Sequence, residues 1–173
     1  MIDRWYRPAL ERLLPKPFVH VLFGARQTGK TTLLEHLLGG ASLSINLADP
    51  EERTRLLAEP GLFRKECEAL PVRKVPSVVF VDEAQAVPAV FDAVQGLYDR
   101  DRTRWRFVLC GSSARKLRRS GANLLPGRCL QHRLLPLMLP ERPAPVPKAP
   151  AARPCSCHRD GARACVRRFR RPA

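Results

Sequence analysis

No stretch of the 173-residue sequence approaches the roughly 18–20 consecutive apolar residues that a membrane-spanning helix needs. The N-terminal segment MIDRWYRPALERLLPKP carries acids at Asp3 and Glu11 and lacks the apolar core of a secretory signal. The sequence contains no internal repeat, and the spacing of its Ser, Cys, His and Asp residues indicates no nucleophilic triad. These absences favour a soluble, cytoplasmic protein without a membrane segment, and the length favours one domain of ordinary size.

Cysteine is present but forms no recognisable metal pattern. The six thiols are Cys67, Cys110, Cys129, Cys155, Cys157 and Cys165. The first three are scattered singly, and the last three, with His158 directly after Cys157, fit no zinc-finger spacing. We therefore predict reduced, unpaired thiols and no metal site built from cysteine.

Acidic residues are few beside basic ones, so the formal net charge is +15, a value typical of nucleic-acid-binding proteins. The distribution weakens that interpretation, because residues 1–140 carry +8 and residues 141–173 carry +7. After Leu139 the composition changes to Pro, Ala, Arg and Cys, with too few apolar residues to bury a core. We predict one folded domain over residues 1–140 and a disordered basic tail over residues 141–173.

Within residues 1–140, apolar runs typical of strands alternate with segments typical of helices. The predicted strands are FVHVLFG, SLSINLADP, SVVFVDEAQ, RFVLCGSS and RCLQHRLLPL. The predicted helices are residues 5–14, KTTLLEHLLGG, EERTRLLAEPGLFRKECEAL with a break at Pro60-Gly61, AVFDAVQGLYDRD, and a short basic helix or turn at ARKLRRSG. This alternation predicts an α/β fold, a three-layer sandwich around a mostly parallel sheet.

Residues 24–31, GARQTGKT, fit the phosphate-binding pattern G-x-x-x-x-G-K-[ST], with a predicted strand before it and a helix after it. The glycines let backbone N–H groups converge on phosphate oxygens, and the helix N-terminus adds a favourable dipole. In this pattern Lys30 reaches the β- and γ-phosphates, and the Thr31 hydroxyl ligates Mg²⁺. The predicted nucleotide contacts are Gly24, Ala25, Arg26, Gln27, Thr28, Gly29, Lys30, Thr31 and Thr32.

Two further predicted strands end in polar residues that would complete a hydrolysis site. VVFVDEAQ supplies the carboxylate of Asp82 as a second Mg²⁺ ligand, and the adjacent Glu83 is the candidate that accepts a proton from the attacking water. FVLCGSS places Ser112, or as second choice Ser113, within reach of the water or the γ-phosphate, because the ends of parallel strands face one crevice.

Basic residues follow in ARKLRRSGANLLPGR, namely Arg115, Lys116, Arg118, Arg119 and Arg128. We interpret the first four as a solvated basic face. Arg128 follows a Pro-Gly turn and precedes a strand, so it would be held rigidly enough to stabilise transition-state charge, in this chain or from a neighbouring subunit. His20 and His36 are predicted to be structural or solvent-facing.

These motifs resemble those of a group of prokaryotic AAA+-type P-loop ATPases. The segments that carry the resemblance are GARQTGKTTLL, INLADPEER, VDEAQAVP and GSSARKLRRSGANLLPGR, and together they cover about residues 1–140. The resemblance implies an ATPase core in which the phosphate loop and the Asp-Glu pair have the roles given above. It also implies that Ser112 or Ser113 acts as a sensor and that Arg128 lies in a Gly-Arg motif.

The sequence departs from that group after LLPLMLPE, where its members continue into a helix-rich C-terminal domain. Because the composition changes at the same point, we hypothesise that residues from about 142 onward come from a shifted reading frame or a truncated copy. Resequencing the locus tests this hypothesis, and an unshifted frame without a family-like continuation in the other frames would overturn it.

The sequence thus predicts an ATP-binding protein of the AAA+ type that hydrolyses ATP with Mg²⁺ and serves an unidentified protein partner. Three alternatives stay open: a nucleotide switch or truncated ATPase with little turnover, a basic nucleic-acid-binding protein with an accessory ATP site, and a small-molecule kinase. A Glu beside Asp82 suits activation of water better than transfer to a small molecule. A homo-oligomer and weak nucleic-acid contact are compatible with the sequence.

Overall fold

In a computed structural model that describes residues 4–112, 125, 127–138 and 141, strands and helices alternate along the chain. The strands are β1 (Val19–Gly24), β2 (Leu43–Asn46), β3 (Ser77–Asp82), β4 (Trp105–Gly111) and β5 (Cys129–Leu134). The α-helices are α1 (Arg7–Leu13), α2 (Lys30–Leu38), α3 (Pro50–Ala58), α4 (Leu62–Ala69) and α5 (Ala89–Arg100), and a short 3-10 helix spans Ala84–Ala86. The predicted basic helix or turn at 114–121 and the tail from residue 142 lie outside the described residues.

The five strands form one sheet in the order β2-β3-β4-β1-β5, and every neighbouring pair is parallel. The strand that carries the acidic motif, β3, is therefore separated from the strand before the phosphate loop, β1, by β4. All five strands end at the same edge of the sheet. At this edge lie Gly24, Asp82 and Gly111, the last residues of β1, β3 and β4.

Side chains alternate along each strand, so the sheet has a buried core on each face. On one face, Val21 of β1 belongs to a cluster with residues of α3, α4 and α5, among them Phe91. On the other face, Leu22 belongs to a cluster with Leu10 of α1 and Leu34 of α2. Helices thus cover both faces, which confirms the predicted three-layer α/β sandwich. Among the described residues, none of the helices has both the length and the hydrophobicity that a membrane-spanning segment requires.

The N-terminal helix differs from its prediction in where it begins and which residues it buries. It begins at Arg7, with Pro8 in its first turn, and buries Leu10, whereas Trp5 lies before the helix and is 66% exposed. Proline is favourable in the first turn because its missing N–H has no partner there. The apolar spacing that included Trp5 in the helix therefore extended it two residues too far.

A buried pair of histidines, His20 and His132, joins the neighbouring strands β1 and β5. His20 Nδ1 lies 3.1 Å from His132 Nε2, and His132 Nδ1 lies 3.1 Å from the Tyr6 hydroxyl oxygen. His20 Nε2 lies 3.2 Å from the carbonyl oxygen of Lys16, which can only accept. With both rings neutral, each ring donates one hydrogen bond and accepts one, so the whole chain of contacts is satisfied.

The histidine pair predicts a loss of stability in mild acid. Burial lowers the pKa of His132 to about 4, with the nearby His20 as the second cause, and burial also lowers the pKa of His20. The histidines of the unfolded chain therefore take up protons near pH 6.5, while those of the folded chain stay neutral. The free energy of unfolding is consequently highest above pH 6.5 and falls as the pH is lowered toward 4. From His132 alone, the free energy of unfolding at pH 5 should be about 2 kcal/mol lower than at pH 7.5.

Urea unfolding at pH 5 and pH 7.5 measures this difference. The matched variant is His132→Gln, which has no titrating ring, and its stability should change less between the two pH values. An identical pH dependence in the two proteins would contradict the assignment of the effect to His132.

Candidate active site

The phosphate loop, residues 24–31, connects β1 to α2 at the carboxyl edge of the sheet. A Cβ on Gly24 would lie 2.6 Å from the carbonyl oxygen of Leu134, so only glycine allows β5 to lie this close. Gln27 and Gly29 have φ angles of 60° and 77°. These left-handed residues turn the chain sharply and aim the first turn of α2, which begins at Lys30, at the space above the loop.

The environment of Lys30 suits its side chain to anion binding. Its side chain is buried, and its Nζ donates to the carbonyl oxygen of Ala25 at 2.8 Å. Thr28 Oγ1 donates to the same oxygen, also at 2.8 Å. An ammonium group has three donors, and among the described residues Lys30 uses one of them, for this carbonyl oxygen. The remaining N–H groups can therefore bind phosphate oxygens.

The two predicted Mg²⁺ ligands are in contact. Thr31 Oγ1 donates to Asp82 Oδ2 at 2.6 Å, and the backbone N–H of Glu83 donates to Asp82 Oδ1 at 2.8 Å. The buried thiol of Cys110 lies beside the same carboxylate, and burial, followed by the charge of Asp82, raises the pKa of that thiol. Cys110 is therefore a protonated neighbour of the site and not a nucleophile.

The carboxylate of Glu83 is held by two side chains from different elements. The Ser112 hydroxyl, after β4, donates to Glu83 Oε2 at 3.1 Å, and the Gln85 amide, in the 3-10 helix, donates to the same oxygen. The backbone of Glu83 is left-handed, with φ of 51°, which is unfavourable for a residue with a Cβ. Ser112 thus contacts the predicted proton acceptor itself, and Ser113 lies outside the described residues.

An open cleft of about 600 Å³ joins these groups. Its lining includes most of the predicted nucleotide contacts and three residues of the acidic segment: Arg26, Gln27, Gly29, Lys30, Thr31, Thr32, Glu83, Gln85 and Ala86. Arg53 of α3 lines the same cleft and was missed by the sequence analysis. Its position shortly after β2, in INLADPEER, was the available signal, because β2 ends at the same edge of the sheet.

A smaller, more apolar pocket of about 280 Å³ adjoins the loop and is lined by Thr32, Leu33, Leu137 and Arg4. The buried guanidinium of Arg4 donates to the carbonyl oxygen of Thr28 at 2.6 Å and pairs with Glu141 at 3.3 Å. Glu141, assigned to the tail by the sequence analysis, thus contacts the folded unit. Nothing in the local sequence indicated this arrangement, because Arg4 lies 24 residues from Thr28 and 137 residues from Glu141.

Arg128 is not near the phosphate loop of its own chain. Its carbonyl oxygen accepts from the backbone N–H of Val19, the first residue of β1, whereas the loop follows the last residue of that strand. The length of β1 separates the two by roughly 16 Å, at about 3.3 Å per residue. Arg128 Nε instead pairs with Asp99 Oδ1 at 2.6 Å. This position does not favour a role of Arg128 in the site of its own chain, and a role in a neighbouring subunit's site stays a prediction.

Comparison with known sequences gives consistent matches. A protein family described as AAA domain matches residues 16–142. Two curated mycobacterial proteins, Mb2031c of Mycobacterium bovis and Rv2008c of Mycobacterium tuberculosis, each described as uncharacterized, are 32% identical over 121 residues. The match covers 69% of this chain and 25% of each relative, so the chain spans about a quarter of the length of these proteins.

Solved structures agree on the fold. The Walker-type ATPase PABY2304 of Pyrococcus abyssi has a TM-score of 0.51 at 18% identity, over 78% of this chain and 53% of that one. The P-loop NTPase domain of the sigma-54 transport activator from E. coli has a TM-score of 0.50 at 16% identity, over 77% of this chain and 94% of that one. At these identities the likeness shows the P-loop fold alone.

Proposed function

Since the chain belongs to the AAA domain family of P-loop ATPases, we propose that it binds ATP with Mg²⁺ and hydrolyses the anhydride bond between the β- and γ-phosphates, releasing ADP and phosphate. The observation that carries the proposal is the contact between two motifs 51 residues apart, in which Thr31 Oγ1 lies 2.6 Å from Asp82 Oδ2, next to Glu83. Mg²⁺ takes such oxygen ligands and completes its coordination with water and substrate phosphates. The residues present therefore fit the metal.

The chain's own residues account for phosphate binding and for the proton. Lys30 and the backbone N–H groups of the loop donate to the β- and γ-phosphate oxygens. Glu83 orients the attacking water in line with the γ-phosphate and accepts its proton at the carboxylate. When bound on Thr31 and Asp82, Mg²⁺ supplies neutralisation of the charge on the phosphate oxygens. We assign the nucleoside to the pocket lined by Leu33, Leu137 and Arg4, because this pocket adjoins the loop and is more apolar than the cleft.

Removal of the metal tests this proposal directly. Phosphate release from ATP should require Mg²⁺ and stop in excess EDTA, because charge neutralisation at the γ-phosphate is lost. Thr31→Ala should lower turnover about 100-fold or more, whereas the matched variant Thr31→Ser keeps the hydroxyl and should stay near wild type. Phosphate release that is insensitive to EDTA would contradict the proposal. Tight ATP binding without release would favour the nucleotide switch.

The curated relatives extend well beyond the matched quarter of their length. A protein partner, a homo-oligomer and weak nucleic-acid contact therefore stay predictions from the sequence.

A further inference from the structure

We propose that Gln85 is a positioning residue that holds the Glu83 carboxylate in place for proton transfer, and that Gly111 is glycine because the Gln85 amide fills the space of a Cβ. The inference rests on the proposed hydrolysis reaction. The Gln85 amide donates to Glu83 and to Ser112, so we place its effect on the Glu83 carboxylate.

The first observation is the set of contacts around one carboxylate oxygen. Gln85 Nε2 donates to Glu83 Oε2 and also to Ser112 Oγ at 3.2 Å, while the Ser112 hydroxyl donates to the same Glu83 oxygen at 3.1 Å. The three side chains form a closed triangle. Among the described residues, Gln85 and Ser112 are the side chains that donate to the Glu83 carboxylate.

The second observation is the tight fit of the amide against β4. A Cβ built on Gly111 would lie only 2.4 Å from Gln85 Oε1. The Oε1 atom is buried and has no hydrogen-bond partner among the described residues. A buried acceptor without a partner is unfavourable. This orientation is retained because rotating the amide would turn Oε1 toward the Glu83 carboxylate and replace an attractive contact with a repulsive one.

The third observation is the backbone of Glu83 itself. Its left-handed conformation starts the 3-10 helix, and this turn brings Gln85 back toward the residue two positions before it. The segment EAQ therefore places a proton acceptor and its amide donor on the same side of the cleft that both of them line. A displacement of about 1 Å in a reacting group can reduce turnover by about 100-fold, so the restraint matters for rate more than for affinity.

The test compares Gln85→Ala, Gly111→Ala and the double variant. Gln85→Ala should lower kcat about 10- to 100-fold and leave ATP affinity within about twofold, because it disturbs only the proton acceptor. Gly111→Ala should give a similar loss, because its methyl group displaces the flexible end of Gln85 and not the backbone. The double variant should be no slower than Gln85→Ala, since the displaced group is already absent. The control is Gly96→Ala, at a glycine with open space around it, which should leave kcat unchanged.

Three kinetic outcomes would overturn the inference: an unchanged kcat in Gln85→Ala, an equal loss of affinity and kcat in that variant, or additive losses of kcat in the double variant. A measurement without turnover separates it from the proposed function. In urea unfolding without nucleotide, Gln85→Ala and Glu83→Ala should be non-additive because they remove one contact. Additive effects overturn the inference even if ATP is hydrolysed. Non-additive effects in a chain without any ATP turnover would defeat the proposed reaction and leave the contact established.

Discussion

Lys30→Ala should abolish ATP binding. The lysine ammonium is buried beneath the loop and anchored by one carbonyl oxygen, so it has donors available for the β- and γ-phosphates. Hydrogen bonds to a charged group contribute about 1.5–3 kcal/mol each, and the loss of two weakens affinity about 100- to 10,000-fold. Fluorescence titration with a labelled ATP analogue, or isothermal titration calorimetry with ATP, measures this loss.

The matched control is Lys74→Ala. Lys74 is exposed and precedes β3, away from the carboxyl edge of the sheet. The Lys74→Ala substitution therefore removes the same charge as Lys30→Ala without altering the loop. Its affinity for ATP should stay within about twofold of wild type, because exposed charges at this distance are screened by salt. If the two variants lost affinity equally, the effect would be one of net charge, and the role of Lys30 would be refuted.

Glu83→Gln should separate binding from turnover. The substitution keeps the size of the side chain and an oxygen that can accept from Gln85 and Ser112, but it removes the group that takes the proton. General base catalysis contributes about 100- to 10,000-fold, so turnover should fall by that factor. ATP affinity should be unchanged or higher, because one negative charge leaves a cleft that binds a polyanion. Phosphate release and a direct binding assay on the same preparation measure both quantities.

A comparable acid outside the cleft provides the control for this variant. Glu51 is exposed in the first turn of α3, so Glu51→Gln should leave turnover unchanged. Equal turnover in wild type and Glu83→Gln would contradict the assignment of the proton acceptor. A parallel loss of ATP affinity in Glu83→Gln would instead indicate that the carboxylate shapes the binding site.

The sequence predicted those parts of the site that depend on neighbours along the chain. The positions of Lys30 and Thr31 depend on the loop and the helix that follows it, and the position of Asp82 depends on where one apolar strand ends. The sequence could not predict that the Ser112 hydroxyl meets Glu83, because that contact depends on β4 lying beside β3. Arg128 shows the same limit, since only the register of β5 against β1 reveals that it lies at the far edge of the sheet.

The order of the strands in the sheet determines when the phosphate loop acquires its native neighbours during folding. The strand β1 lies between β4 and β5, so its two hydrogen-bonding partners are residues 105–111 and 129–134, which are translated long after it. Contacts this distant in sequence carry a high entropic cost and form slowly. The phosphate loop therefore reaches its native surroundings only after β4 and β5, which both follow it along the chain, have paired with β1.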